Sequence, residues 1–161
     1  MSAVADARYS AADLLKHPDR DRFELVNGEL VEKDLGWASS RIAVRLASFL
    51  FMHCDPHQLG WVNGPDAGYQ CYEEVYPDDP DRVRKPDVSF IRQERLSPDD
   101  RPEGHCDSVP DLVAEVISPN DTAYEVRKNT EEYLRAGVQL VWVIDPLAKQ
   151  VDVHRDDGSV Q

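Results

Sequence analysis

The sequence predicts an α/β or α+β fold in which helices flank a mixed β-sheet. Helical and strand patterns alternate along the chain, and apolar runs of strand length are bounded by turn residues. No internal repeat or linker divides the 161 residues, so we expect a single domain over residues 1–161. With 41% hydrophobic and 30% charged residues, the composition is typical of a globular protein.

Charge and cysteine content argue against several classes of protein. The net charge of −13 disfavours nucleic-acid binding by the whole surface but leaves room for a local basic groove or a metal-filled acidic site. Cys54, Cys71 and Cys106 form no CxxC pair, so neither a zinc knuckle nor a disulfide framework is indicated. No apolar run reaches the about 18 residues of a membrane span, and Met1 to Arg8 lacks a signal-peptide core. We therefore expect a cytoplasmic protein with no membrane partner.

The first third of the chain is predicted to hold two helices and a hairpin. Residues 10–17 form a short helix with Ser10 as its N-cap. Asn27-Gly28 lies between two alternating segments, which is the strongest short signal for a β-hairpin. Residues 37–54 carry the longest helical pattern. Its apolar stripe consists of Ile42, Leu46, Phe49, Leu50 and His53.

Strands dominate the remainder of the chain. Strands are predicted at 60–63, 67–76, 84–91, 110–117, 139–144 and 150–154. Asp121 is expected to cap a helix that reaches about Ala136 and stops at Gly137. The inner face of that helix consists of Val126, Thr130, Tyr133 and Leu134.

Glu115 is the one charged residue inside an apolar strand, residues 112–117. Removing a carboxylate from water is costly, so buried strands rarely carry one without a partner. Glu115 therefore needs a neighbouring cation, a bound metal or a raised pKa. Arg41, Arg45 and Lys85 are the cations that could pair with it.

Asp87 and Asp111 are the two aspartates that follow a proline and open a strand. Asp111 shares a strand with Glu115, but four residues of strand span about 13 Å, too far for both to bind one ion. Asp87 opens a different strand and can lie beside Glu115. Such a pair of carboxylates suits Mg²⁺, with Glu24 as a third candidate ligand.

Five blocks, in order, carry a resemblance to a known family. They are Arg22-Phe-Glu-Leu-Val-Asn-Gly-Glu-Leu, Lys85-Pro-Asp-Val, Pro110-Asp-Leu-Val-Ala-Glu-Val-Ile-Ser-Pro, Tyr133-Leu-Arg-Ala-Gly-Val and Val141-Trp-Val-Ile-Asp-Pro. Each block alone is unspecific, but the ordered set over about residues 10–155 resembles the Uma2 family of the PD-(D/E)XK nuclease superfamily.

The resemblance implies a restriction-endonuclease-like core and hydrolysis of DNA phosphodiester bonds. It implies that Asp87 and Glu115 hold Mg²⁺ or Mn²⁺, and it suggests Glu24 as a further acid of the site. Arg41 and Arg45 are candidate phosphate contacts. The resemblance also suggests a homodimer, and a domain that lacks the C-terminal strand of its relatives.

The chain departs from the superfamily pattern at its lysine. Ile117 stands where that lysine follows the glutamate, and in the next helix, where Uma2 members look as if they supply it, Asn129 stands in its place. Lys128, one residue earlier, is the candidate catalytic lysine but lies on the expected solvent side. Asn129 lies at the edge of the inner face and is the other candidate catalytic residue of this helix, since it can hydrogen-bond a water or a phosphate. The alternatives are therefore a catalytically impaired nuclease-fold protein that binds nucleic acid or a protein partner, or a small-molecule hydrolase or lyase.

Overall fold

A computed structural model describes residues 8–33 and 36–161 of the chain. The helices are α1 (Ala11–Lys16), α2 (Trp37–Cys54) and α3 (Ala123–Arg135). The strands are β1 (Phe23–Val26), β2 (Glu29–Glu32), β3 (Gly60–Asn63), β4 (Val88–Arg92), β5 (Leu112–Val116), β6 (Leu140–Asp145) and β7 (Gln150–Arg155). Residues 1–7, on which the absence of a signal peptide was predicted, lie outside the described residues.

The strands form a two-stranded hairpin and a five-stranded sheet of order β3-β4-β5-β6-β7. Strand β5 is antiparallel to β4 and parallel to β6, while the other neighbours in the sheet are antiparallel. The parallel pair is connected through α3, as a crossover between parallel strands requires. This mixed sheet flanked by helices confirms the predicted fold class.

Helix α2 covers one face of the sheet, and its bounds are those predicted. Ala43 is buried against Val88, Ala114 and Val116, and Ile42, Leu46 and Leu50 pack around that cluster. The predicted apolar stripe is wrong at two positions, because Phe49 and His53 are exposed and do not pack against the sheet. Both are offset from the centre of the sheet-facing side, where the helix already turns toward solvent.

Helix α3 covers the opposite face of the sheet. Tyr133 is fully buried among Val113, Val138 and Val141. Successive side chains of a strand point to opposite faces, so Glu115 shares the α3 side with Val113, while Ala114 and Val116 face α2. The fold therefore directs Glu115 toward α3.

Two local predictions are wrong. Residues 67–76 form no strand, because Tyr69 bonds the backbone of Arg84 while Gln70 bonds that of Cys106, and a turn follows at Tyr72. No single neighbour offers these residues a continuous ladder. The N-cap of α3 is Thr122, which forms a capping box with Glu125, and not Asp121. The Asp121 carboxylate accepts a hydrogen bond from the Ser118 N–H instead.

The N-terminal elements form as predicted. Ser10 caps α1 through a capping box with Asp13. Asn27 and Gly28 both have positive φ, 54° and 74°, as the tight turn of a two-residue hairpin requires. At the other end of the chain, Val160 forms an isolated bridge to His154 of β7.

A buried network of ions connects the hairpin to α3. The Glu132 carboxylate, 2% exposed, lies 3.1 Å from Nη1 of Arg82 and 3.5 Å from Nε of Arg84. Arg84 also pairs with Glu24 of β1 at 2.9 Å, and Arg82 pairs with Asp79 at 3.0 Å. Charges this far from water are tolerated only because each has an opposite partner.

Replacing Glu132 with alanine should lower the free energy of unfolding by about 3–5 kcal/mol, because it leaves two buried guanidinium groups partly uncompensated. Urea unfolding measures this change. The matched control is Glu131→Ala, at the adjacent exposed position of the same helix, which should stay within about 0.5 kcal/mol of the wild type. Equal stability of the two variants would contradict the assigned role of Glu132.

Candidate active site

A polar cavity of about 340 Å³ opens where the hairpin, the start of β4, the end of β5 and the first turns of α3 meet. Its wall carries both acids and cations. The charged lining residues are Glu24, Glu32, Lys33, Arg84, Lys85, Asp87, Glu115, Asp121, Glu125 and Lys128. The cavity therefore contains most of the candidate site residues that the sequence predicts.

The register of β4 and β5 places Asp87 beside Glu115. Val88 lies opposite Ala114 in the antiparallel pair, so the preceding residue, Asp87, comes opposite Glu115. The Val116 N–H donates a hydrogen bond of 2.9 Å to Oδ2 of Asp87, which fixes this carboxylate at the end of β5. The juxtaposition expected from the sequence is present.

Glu115 is held on the α3 side by the hydroxyl of Tyr133, which donates to Oε1 at 2.6 Å. Burial raises the pKa of the Glu115 carboxyl to about 8, and the neighbouring charge of Asp87 adds to the shift. Within the described residues, no cation lies close enough to form an ion pair with Glu115, so pairing with Arg41, Arg45 or Lys85 is not observed.

Glu24 reaches the same cavity from β1, but its oxygens already have partners. The Lys85 N–H donates to Oε1 at 2.6 Å, and Arg84 lies 2.9 Å from Oε2. No group of three or more His, Cys, Asp or Glu side chains in the described part of the chain is arranged to hold a metal ion. Glu24 as a third ligand stays a prediction; its negative charge contributes to the raised pKa of Glu115.

Asp111 lies at the other end of β5 and takes no part in the cavity. Its carboxylate accepts hydrogen bonds from the Arg92 N–H at 2.8 Å and from Arg95 at 2.9 Å. These partners satisfy Asp111 locally. The separation of Asp111 from Glu115 along the strand agrees with the distance argument made from the sequence.

Comparison with known proteins shows the family and the fold of the chain. The model of the Uma2 family, described as "Putative restriction endonuclease", matches residues 10–161. The chain belongs to the Uma2 family. A crystal structure described as a putative nuclease belonging to DUF820, from Anabaena variabilis, shares the fold with a TM-score of 0.74. It is 23% identical, and the match covers 94% of this chain and 82% of that one. No curated protein matches the sequence.

The two positions at which the resemblance implied a lysine, Ile117 and Asn129, differ in their surroundings. Ile117 is partly buried and packs against the apolar cluster beneath α3. Asn129 is partly buried and Lys128 is exposed, as the helical wheel predicts, and both line the cavity. Neither Ile117 nor Asn129 supplies a positive charge.

Arg41 and Arg45 lie on the exposed side of α2 and do not line the cavity. Arg41 stands over the ring of Trp37 at 6.0 Å, and Arg45 over that of Phe49 at 5.5 Å. Both guanidinium groups are exposed, which would allow contact with a phosphate backbone. Their role as phosphate contacts stays a prediction.

Lys33 also lines the cavity and was not predicted from the sequence. It directly follows β2, and its ammonium lies 3.6 Å from Oδ1 of Asp87 and donates to the Lys85 carbonyl. A signal was available, because pairing across the hairpin aligns Lys33 with Arg22, two residues before Glu24 and therefore on the same face of the hairpin. Only the docking of the hairpin against β4, however, brings that lysine to Asp87.

The contribution of Glu115 to the stability of the metal-free protein should fall as pH rises from about 5 to 8. The folded-state pKa of Glu115 is raised, so between its ordinary value of 4.5 and about 8 the folded protein binds more protons than the unfolded chain. Thermal denaturation in EDTA across this range measures the effect.

Glu115→Gln should remove most of this pH dependence and raise the melting temperature at pH 8, since the amide has no charge to desolvate. The matched control is Glu131→Gln, an exposed glutamate of α3 that should keep the wild-type profile. If Glu115→Gln unfolded with the same pH profile as the wild type, the electrostatic account of Glu115 would be wrong.

Proposed function

We propose that this protein is a divalent-metal-dependent endonuclease that hydrolyses DNA phosphodiester bonds. The observation that carries the proposal is the placement of Asp87 opposite Glu115 on the wall of a polar cavity. Membership of a family described as "Putative restriction endonuclease" supports a nuclease function.

The donor set fits Mg²⁺, with Mn²⁺ as a substitute. Mg²⁺ prefers hard oxygen ligands and commonly takes one or two carboxylates while keeping several waters. Asp87 and Glu115 would hold it. Each carboxylate has one oxygen positioned by a single hydrogen bond, from the Val116 N–H or the Tyr133 hydroxyl. Two adjacent carboxylates repel each other, and a divalent cation offsets that repulsion.

When bound, such an ion supplies a more acidic water and stabilises negative charge on phosphate. The protein's own residues supply position and additional charge. Tyr133 and Val116 orient the two carboxylates, while Arg84 holds Glu24 in place. Asn129, at the cavity wall, can donate a hydrogen bond to a phosphate oxygen or to water.

DNA is the proposed substrate, bound locally and not by the whole acidic surface. The net charge of −13 repels a polyanion, so binding depends on the cations around the cavity and on Arg41 and Arg45 of α2. Such binding should weaken steeply with salt. No helix among residues 8–33 and 36–161 is long and apolar enough to cross a bilayer. A cytoplasmic location and a homodimer remain predictions.

A second candidate function is that of an impaired nuclease-fold protein that binds nucleic acid or a protein partner. The specific observation in its favour is Ile117, a partly buried apolar side chain at the cavity wall where the superfamily lysine is expected. This candidate predicts metal binding without cleavage, so one experiment separates the two functions.

Plasmid DNA incubated with the protein and Mg²⁺ or Mn²⁺ should be nicked or linearised, as gel electrophoresis reports. Asp87→Ala and Glu115→Gln should each lower the rate at least about 100-fold, because each removes a charged ligand. The matched control is Asp111→Asn, which changes an aspartate at the far end of β5 and should leave the rate of folded protein unchanged.

Metal binding is measured separately by isothermal titration calorimetry with Mn²⁺. Binding by the wild type, lost in Asp87→Ala, together with no cleavage of DNA would favour the impaired protein. Cleavage that survives both Asp87→Ala and Glu115→Gln would contradict the proposed site.

A further inference from the structure

We propose that Lys33 is the cationic residue of this active site and contacts the phosphate group that is hydrolysed. Ile117 occupies the position of the superfamily lysine, and Lys33 would supply the missing positive charge from the end of the hairpin instead. The inference rests on the proposed endonuclease function and names a further residue of the same site.

The backbone of the hairpin holds Lys33 at the cavity. Its N–H donates to the Arg22 carbonyl at 2.8 Å, which extends the hairpin ladder by one pair. Its side chain is only 13% exposed, so the ammonium cannot be treated as a solvated surface charge. The hairpin in turn is anchored through Glu24 to Arg84 and the Lys85 N–H.

The ammonium group of Lys33 is close to the acids without being fully paired. It lies 3.6 Å from Oδ1 of Asp87, longer than the about 2.7–2.9 Å of a charge-assisted hydrogen bond. Its observed hydrogen bond is to the Lys85 carbonyl, and an ammonium has three protons to donate. Donor capacity is therefore left for a phosphate oxygen in the cavity.

The two lysines of the cavity wall differ in what they contact. Lys33 is mostly buried and adjacent to Asp87, and its charge acts against the raised pKa of Glu115. Lys128 is exposed on α3, one turn from Glu125, whose pKa its charge helps to lower. The geometry therefore favours Lys33 over Lys128 as the cation that acts with the carboxylate pair.

Lys33 has an electrostatic part in the proposed hydrolysis. The oxygen of a water forms a bond to phosphorus, the bond from phosphorus to the leaving oxygen breaks, and the proton lost by water balances the one gained by the leaving group. Negative charge builds up on the phosphate oxygens, where a preorganised ammonium stabilises it. No proton transfer is assigned to Lys33.

The test compares Lys33→Met, Lys33→Arg and the control Lys16→Met, an exposed lysine at the end of α1. With saturating Mg²⁺, Lys33→Met should lower kcat for DNA cleavage about 100-fold or more, and Lys33→Arg should restore part of the rate. The affinity of the Lys33→Met variant for Mn²⁺, measured by calorimetry, should be unchanged or higher, because this substitution removes a positive charge beside Asp87.

Two outcomes would overturn the inference. One is a kcat of Lys33→Met within about threefold of the wild type. The other is a parallel loss of Mn²⁺ affinity whose effect on rate is reversed by excess metal, since Lys33 would then serve only to build the metal site.

A wild type that binds Mn²⁺ but cleaves no DNA would refute the proposed function instead. Lys33 is then judged by the affinity for inorganic phosphate in the presence of Ca²⁺, measured by calorimetry. Weaker phosphate binding in Lys33→Met, with Lys16→Met unchanged, would support the contact. Equal binding in all three proteins would overturn it.

Discussion

The repulsion between Asp87 and Glu115 is the interaction on which the rest of the site depends. Strand pairing brings the two carboxylates together, and burial raises the free energy of the charged state, which raises the pKa of Glu115. A fold keeps such a pair only when something offsets the charge or when function requires it. The surrounding hydrogen bonds and the nearby ammonium of Lys33 reduce the cost without neutralising both acids.

A second set of charges holds the walls of the cavity in position. Arg84 connects Glu24 of the hairpin to Glu132 of α3, so the elements on either side of the carboxylate pair share one buried ion network. Tyr133 follows Glu132 directly in α3 and donates to Glu115. One turn of α3 therefore contributes both Glu132 to the buried ion network and Tyr133 to the orientation of Glu115. Changes that destabilise this turn should also disturb the position of Glu115.

The sequence predicts the elements better than the connections between them. Alternation, the Asn27-Gly28 turn and the helical spacing of residues 37–54 are local signals, so the hairpin and α2 follow from them. The placement of Asp87 beside Glu115 depends on how two strands pair, so the residues alone allowed it and the family resemblance led us to expect it. The irregular path of residues 67–76 and the burial of Glu132 depend on distant partners. Lys33 was missed for the same reason, because its position at Asp87 results from docking of the hairpin and not from its own neighbours.

The central claim is that Asp87 and Glu115 together hold one divalent ion. A crystal structure of the protein soaked in Mn²⁺, with anomalous scattering recorded for manganese, tests it most directly. The account predicts an anomalous peak in contact with both carboxylates, lost in crystals of Asp87→Ala. A fully soaked crystal with no manganese at these residues, or with manganese bound elsewhere, would contradict the account.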